Sequence, residues 1–169
     1  MLIIEADNQQ IVDEVIPFLS QQMSESYSWM DAEGLARTIE YKRSTLPHRF
    51  PEQGTMLYAL DGSQIIATAS LEPYFSPSGR AMTIAYCGNL FVHKDYQGQG
   101  VGKQMLQARE AAALEQGIQL LVCEVLSSNR KAQQFLLHNG FMITHGTRIS
   151  SNSGETLYHF SRGLSQLNS

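Results

Sequence analysis

Excess charge of one sign is what this chain lacks. Charged residues make up only 17% of its 169 positions, and 12 Lys and Arg against 16 Asp and Glu leave a net charge of −4. A nucleic-acid partner calls for a basic patch that displaces counterions, so no nucleic acid is expected as a ligand. Long apolar runs are missing too. No stretch approaches the ~18–20 residues that span a bilayer, so no membrane partner is expected. Residues Met1 to Ala6 also lack the basic and apolar regions of a secretory signal. The two cysteines, Cys87 and Cys123, offer no disulfide framework and read as small buried hydrophobes in a reducing, cytoplasmic setting. The histidines (His48, His93, His138, His145, His159) are scattered without ligand spacing, and no metal is expected. Internal repeats and low-complexity segments are absent.

What is present is the composition of a protein with a full core, 43% of it hydrophobic. Its length predicts one domain over residues 1–169. Leu2 to Ile4 predicts a strand, followed by the helix N-cap candidates Asp7 and Asn8. Ile11, Val12, Val15, Ile16 and Leu19 recur at helical spacing, and Pro17 within them predicts a kink or an early end. Residues Ser24 to Asp31 read as a loop. Asp31 caps a second helix with apolar positions Leu35, Ile39, Tyr41 and Leu46, and Pro47 to Gly54 reads as a linker. Met56 to Leu60 and Ile65 to Leu71 are strands joined across Asp61-Gly62. Glu72 to Gly79 reads as a loop. A long strand, Ala81 to Val92, follows, with Gly88 inside it as a bulge signal. A helix from Lys103 to Gln116 stops at Gly117. Leu120 to Val125 is a strand and Asn129 opens another helix. Met142 to Ile149 and Thr156 to Phe160 are the last strands.

The densest signal lies between the long strand and the helix after it. Gln97-Gly98-Gln99-Gly100-Val101-Gly102 places three glycines on a strand-to-helix turn, where free backbone N–H groups and the helix dipole favour an anion. Glycine at these positions permits unusual φ angles and close approach of a phosphate. The dinucleotide fingerprint G-x-G-x-x-G fails, because Lys103 follows Gly102. The P-loop spacing fails as well, since Gln104 follows Gly102-Lys103. The loop instead resembles the Q/R-x-x-G-x-G/A signature of the GNAT N-acetyltransferase superfamily, through Gln97, Gly100 and Gly102. A second signature stands in order behind it: Ser127-Ser128-Asn129, then Ala132, Phe135 and Gly140-Phe141. The likeness is close over residues 81–145 and topological elsewhere.

The resemblance implies an α/β (α+β) fold, a mixed and mostly antiparallel sheet of about seven strands flanked by about four helices. In that fold the fourth strand is bulged and splays from the fifth. It implies acetyl-CoA as co-substrate, with an amine acceptor, the primary amine of a small molecule or peptide, attacking the thioester directly. The pyrophosphate would be held by Gln97, Gly98, Gln99, Gly100, Val101, Gly102 and Lys103. The pantetheine arm would lie on the backbone of Leu90, Phe91 and Val92, with Asn129 as a further cofactor contact beside its role as a cap. Candidates for the catalytic base are Glu124, an acid in an otherwise apolar strand, Glu72, and Asn89 as a holder of water. Where the family places its proton-donating tyrosine, this chain has Leu136. The thiolate then leaves unprotonated or takes its proton from water, another group such as Tyr86, Ser127 or Ser128 donates, or the protein is a non-catalytic acyl-CoA-binding sensor. The family's acceptor pocket corresponds to residues 24–54 and 72–79, where Tyr27, Trp29, Tyr74 and Phe75 are candidates for an aromatic wall. A homodimer stays open.

Overall fold

A computed structural model describes residues 1–27, 30–50, 52–149 and 154–164, the side chains of 145–148 excepted. Seven strands order themselves β1-β2-β3-β4-β5-β7-β6 in one mixed sheet. They are β1 (Leu2–Glu5), β2 (Thr55–Asp61), β3 (Gln64–Phe75), β4 (Ala81–Val92), β5 (Leu120–Leu126), β6 (Met142–Ile149) and β7 (Thr156–Gly163). Every pairing with a determined register is antiparallel except that of β4 with β5, which is parallel. The residues gather into two compact units, Met1–Glu72 with Gly88–Ala112, and Pro73–Cys87 with Ala113–Ser169.

In the first unit, α1 (Asn8–Gln10) opens on a capping box in which Asp7 Oδ1 accepts from the Gln10 N–H and Gln10 accepts from the Asp7 N–H. Its helical run passes through a π turn (Ile11–Val15) into α2 (Ile16–Ser26). Pro17 therefore neither ends the helix nor stands in a regular interior. The widened turn just before it, closed by Ile16 N–H to Ile11 O, makes room for the ring. The same turn leaves Val12 exposed, while Ile11, Val15, Ile16 and Leu19 are buried.

α3 (Ala32–Arg49) is capped by Asp31, as its sequence predicts, but it runs through the expected linker and takes in Pro47. Burial of Leu46 and Phe50, with the Phe50 N–H bonded to Leu46 O, outweighs the one hydrogen bond that Pro47 removes. Tyr41 turns outward, 57% exposed, against its expected place on the inward stripe. One core cluster joins Ile11, Val15, Ile16, Leu19, Leu46, Phe50, Met56 and Tyr58, with Phe91 packed on it. Another joins Leu57, Ala59, Ile66, Ala67, Ala69, Val101 and Met105, with Leu90 and Val92 packed on it. Successive β4 side chains thus anchor in opposite cores, which pins the backbone between them.

β3 is longer than expected, continuing through Glu72 to Phe75 where a loop was predicted. Pro73 is tolerated because the β2 register ends at Thr55↔Leu71, so no β2 acceptor waits for the missing N–H. In the second unit, β4 pairs with β5 from Ile84↔Leu120 to Tyr86↔Val122. α5 (Arg130–His138) carries the apolar residue Leu136 inward, 5% exposed. Cys87 and Cys123 are both buried.

Candidate active site

The glycine loop follows β4 through a short turn that is bonded to itself and to the first unit. The His93 N–H donates to Ile66 O at 2.8 Å, and the Tyr96 hydroxyl donates to Asp61 Oδ2 at 2.8 Å, tying the turn to the β2–β3 hairpin. Gln97 Nε2 donates to Val92 O at 2.9 Å and Gln99 Nε2 to Asp95 O at 2.6 Å. Both glutamines of the motif therefore brace the corner between strand and loop. Helix α4 (Val101–Glu115) begins at once, its first bond running from the Gln104 N–H to Gly100 O at 3.1 Å. The N–H groups of Val101, Gly102 and Lys103 precede that bond and have no acceptor within the helix.

Gly98 and Gly100 adopt φ of 76° and 83°, the left-handed region that glycine enters without strain. A Cβ built on either would meet nothing within 4 Å. These glycines are therefore demanded by backbone conformation and not by packing of the chain against itself. The space beside them is open at the positive end of α4, where a phosphate is favoured on geometry and on charge. Lys103 lies exposed on the same turn.

The other concentration of polar groups in the first unit lies on three elements. Thr68, Ser70 and Glu72 alternate along one face of β3, with Thr68 and Ser70 fully buried. Opposite them on β4 stands Asn89, at φ 49° the one non-glycine residue with positive φ among the described residues. The irregularity expected at Gly88 thus falls one residue later. Asparagine enters this region more readily than most L-residues, but a left-handed non-glycine residue still costs on the order of 1–3 kcal/mol. Three side-chain bonds hold it. Lys42 Nζ, reaching from α3, donates to Asn89 Oδ1 at 2.5 Å. Asn89 Nδ2 donates to Ser70 Oγ at 3.0 Å, and Thr68 Oγ1 donates to Asn89 O at 2.9 Å.

Glu72 completes the network. Its Oε2 accepts from Arg49 Nη1 at 2.6 Å and its Oε1 from Ser70 Oγ at 3.4 Å. Burial lowers the Lys42 pKa, the Glu72 charge opposes that fall, and Arg49 reinforces it. Tyr27, its ring 6.0 Å from that of Phe91, has its hydroxyl pKa raised by burial.

Of the expected catalytic residues, Glu72 and Asn89 are thus brought into one network. Glu124 belongs to the second unit, on β5 directly across from His159 of β7, with Oε1 3.5 Å from Nε2. An acid in an otherwise apolar strand has found a partner there. Asn129 is the N-cap of α5, its Oδ1 accepting from the Ala132 N–H at 3.1 Å. Gln133 closes the same helix on its strand, donating to Leu126 O and Ser127 O. Leu136 is buried, so no proton donor stands at its position. Tyr74 and Phe75 are exposed, and Trp29 lies outside the described residues.

The sequence reading missed Lys42 and the buried pair Thr68 and Ser70. A signal for each was present. Lys42 interrupts the inward stripe of α3, three residues after Ile39 and four before Leu46. Thr68-Ala69-Ser70-Leu71-Glu72 alternates polar and apolar residues, the mark of a strand with one polar face.

A strand that runs into an open glycine turn at a helix start, in a mixed sheet of this order, defines an α/β protein whose helix N-terminus is open to an anion. The sequence pattern of the acetyltransferase (GNAT) family matches residues 16–141, and the chain belongs to that family. Among solved structures, it is similar to the ribosomal-protein-alanine N-acetyltransferase of Brucella melitensis, at 19% identity and a TM-score of 0.72, covering 97% of this chain and 100% of that one. A GNAT-family acetyltransferase from Staphylococcus aureus Mu50 matches at 19% identity and a TM-score of 0.74, covering 97% and 99%. The paia N-acetyltransferase of Thermoplasma acidophilum, solved with coenzyme A, matches at 17% identity and a TM-score of 0.73, covering 94% and 98%. No curated protein matches the chain significantly.

Proposed function

We propose that this acetyltransferase moves an acetyl group from acetyl-CoA to the primary amine of a small molecule or peptide by direct attack on the thioester. The observation that carries the reading is the open cradle at Gly98 and Gly100, at the start of α4 in a chain of this family. Acetyl-CoA supplies the activated acyl group and a good leaving group. The backbone N–H groups from Gly98 to Lys103 hold its pyrophosphate. The backbone of Leu90, Phe91 and Val92 takes the pantetheine arm, a role suited to a strand whose side chains are anchored on both faces. Val92 O already accepts from Gln97, which fixes the corner where strand meets loop.

The attacking nitrogen must be neutral, although a free alkylamine has a pKa near ~10.4. Glu72 takes the proton through water, held in place by Arg49 and Ser70. A backbone N–H at Leu90 or Phe91 faces the developing oxyanion. The thiol, with a pKa around 8.5, leaves well as thiolate and takes its proton from water, so the leucine at position 136 does not preclude turnover.

Calorimetric titration with CoA and acetyl-CoA, followed by thiol release over a panel of amines and amino-terminal peptides, tests the reading. Saturable CoA binding and amine-dependent thiol release are expected. Binding without acceleration by any acceptor would instead make the protein an acyl-CoA sensor.

A further inference from the structure

We infer that Lys42, with Thr68 and Ser70, forms a clamp on Asn89 that sets the backbone of Leu90 to Val92 for the cofactor, making Lys42 a positioning residue of this acetyltransferase. The inference rests on the proposed placing of acetyl-CoA along that segment.

Asn89 is the last residue before the segment and the point where β4 leaves regular geometry, at φ 49°. A residue in that conformation relaxes unless its surroundings over-determine it. Here three of its polar groups are engaged, from two neighbouring elements. The side-chain oxygen is bonded from α3, the side-chain nitrogen from Ser70 of β3, and the main-chain carbonyl from Thr68 of β3. Ser70 and Thr68 are fully buried, so water offers them no alternative partners. Beyond Asn89 the side chains of Leu90 and Val92 enter one core and that of Phe91 the other. With those side chains anchored, a turn of the Asn89 backbone falls on the peptide that joins it to Leu90, and moves the Asn89 C=O and the Leu90 N–H at the entrance of the segment.

Lys42 is the costly member of the clamp. An amine on an amphipathic helix ordinarily reaches water, whereas this one is desolvated enough to lower its pKa and bonds a neutral amide. Its Asn89 bond does not neutralise it, and Glu72, the carboxylate whose charge acts on it, is bonded by Arg49. A lysine spent on an amide oxygen is explained by what that amide holds.

The test is a double-mutant cycle read by CoA affinity and by kcat on the best acceptor found. Lys42→Met keeps the length of the side chain and removes the donor. In the wild-type background it is expected to raise the CoA Kd about tenfold, worth about 1.4 kcal/mol, and to lower kcat. In an Asn89→Gly background, where glycine holds positive φ unaided, adding Lys42→Met is expected to change that variant's own Kd less than twofold. Thr68→Val and Ser70→Ala repeat the comparison if Lys42→Met does not fold. An unchanged Kd in folded Lys42→Met, or the same loss in both backgrounds, overturns the clamp while leaving cofactor binding by the wild type intact. Wild-type protein that binds no CoA overturns the functional reading and the clamp together.

Discussion

Lys42 of α3 and Asn89 of β4 meet through Nζ and Oδ1 at 2.5 Å although 47 positions separate them in the chain. The contact carries a consequence for stability as well as for the site. Burial holds the Lys42 pKa below its ordinary value of 10.5, with Glu72 opposing and Arg49 adding to the shift. Between the lowered pKa and 10.5 the unfolded chain binds more protons at this residue than the folded one, so its contribution to stability rises with pH across that window. Below the lowered pKa the full cost of the buried charge is present. Denaturant unfolding from neutral pH to about pH 10 should show wild-type stability rising relative to that of Lys42→Met. A constant or falling difference would show that the amine pays no desolvation cost.

The ion pair between Arg49 and Glu72 makes a different prediction. Its side chains are 41% and 16% exposed, so the pair contributes little to stability, about 0–1 kcal/mol. With Glu72 as the proposed base, the pair's weight is expected in catalysis. Glu72→Gln keeps the shape and removes the base, and kcat should fall roughly 10²–10⁴-fold. CoA affinity should stay within about a factor of two, since Glu72 is not among the contacts proposed for the cofactor. Steady-state kinetics at saturating acetyl-CoA measures the first, and calorimetry the second. An undiminished kcat would move the base elsewhere, with Glu124 the next acid to replace.

The parts of this protein that were legible in its sequence are those set by local conformation. Glycines at 98 and 100 announce positive φ, Asp7, Asp31 and Asn129 announce helix starts, and the element order follows from periodicity. What escaped depends on long-range burial. Pro47 stays inside α3 because Leu46 and Phe50 find a core there, a partner invisible from the local pattern. Glu72 is in a strand because β3 outruns β2. Asn89 was noticed as a candidate, but the residues holding it sit on α3 and β3, and neither the strain nor its support can be read from β4 alone.

Asn129 offers a test of the second unit by itself. Its Oδ1 satisfies one of the free N–H groups at the start of α5, and Asn129→Ala should cost about 1 kcal/mol. Asn129→Ser, which retains a capping oxygen, should recover most of that loss. Chemical denaturation of the two variants beside the wild type measures both. Equal loss in Ala and Ser would mean that a contact other than the cap is at stake.

Gly100 is where the functional reading is most exposed. Its φ is 83°, and a Cβ there meets no atom of the protein within 4 Å. The Cβ that Gly100→Val adds therefore meets no clash in the folded chain. Its cost to stability is backbone strain, on the order of 1–3 kcal/mol. If the glycine serves only the turn, the folded fraction should bind CoA as before. If the open space belongs to the pyrophosphate, the two added methyl groups occupy it, and CoA affinity should fall at least tenfold, about 1.4 kcal/mol. Circular dichroism establishes that the variant is folded, and calorimetric titration then reads the affinity. Unchanged binding by folded Gly100→Val would remove the glycine loop from the cofactor site.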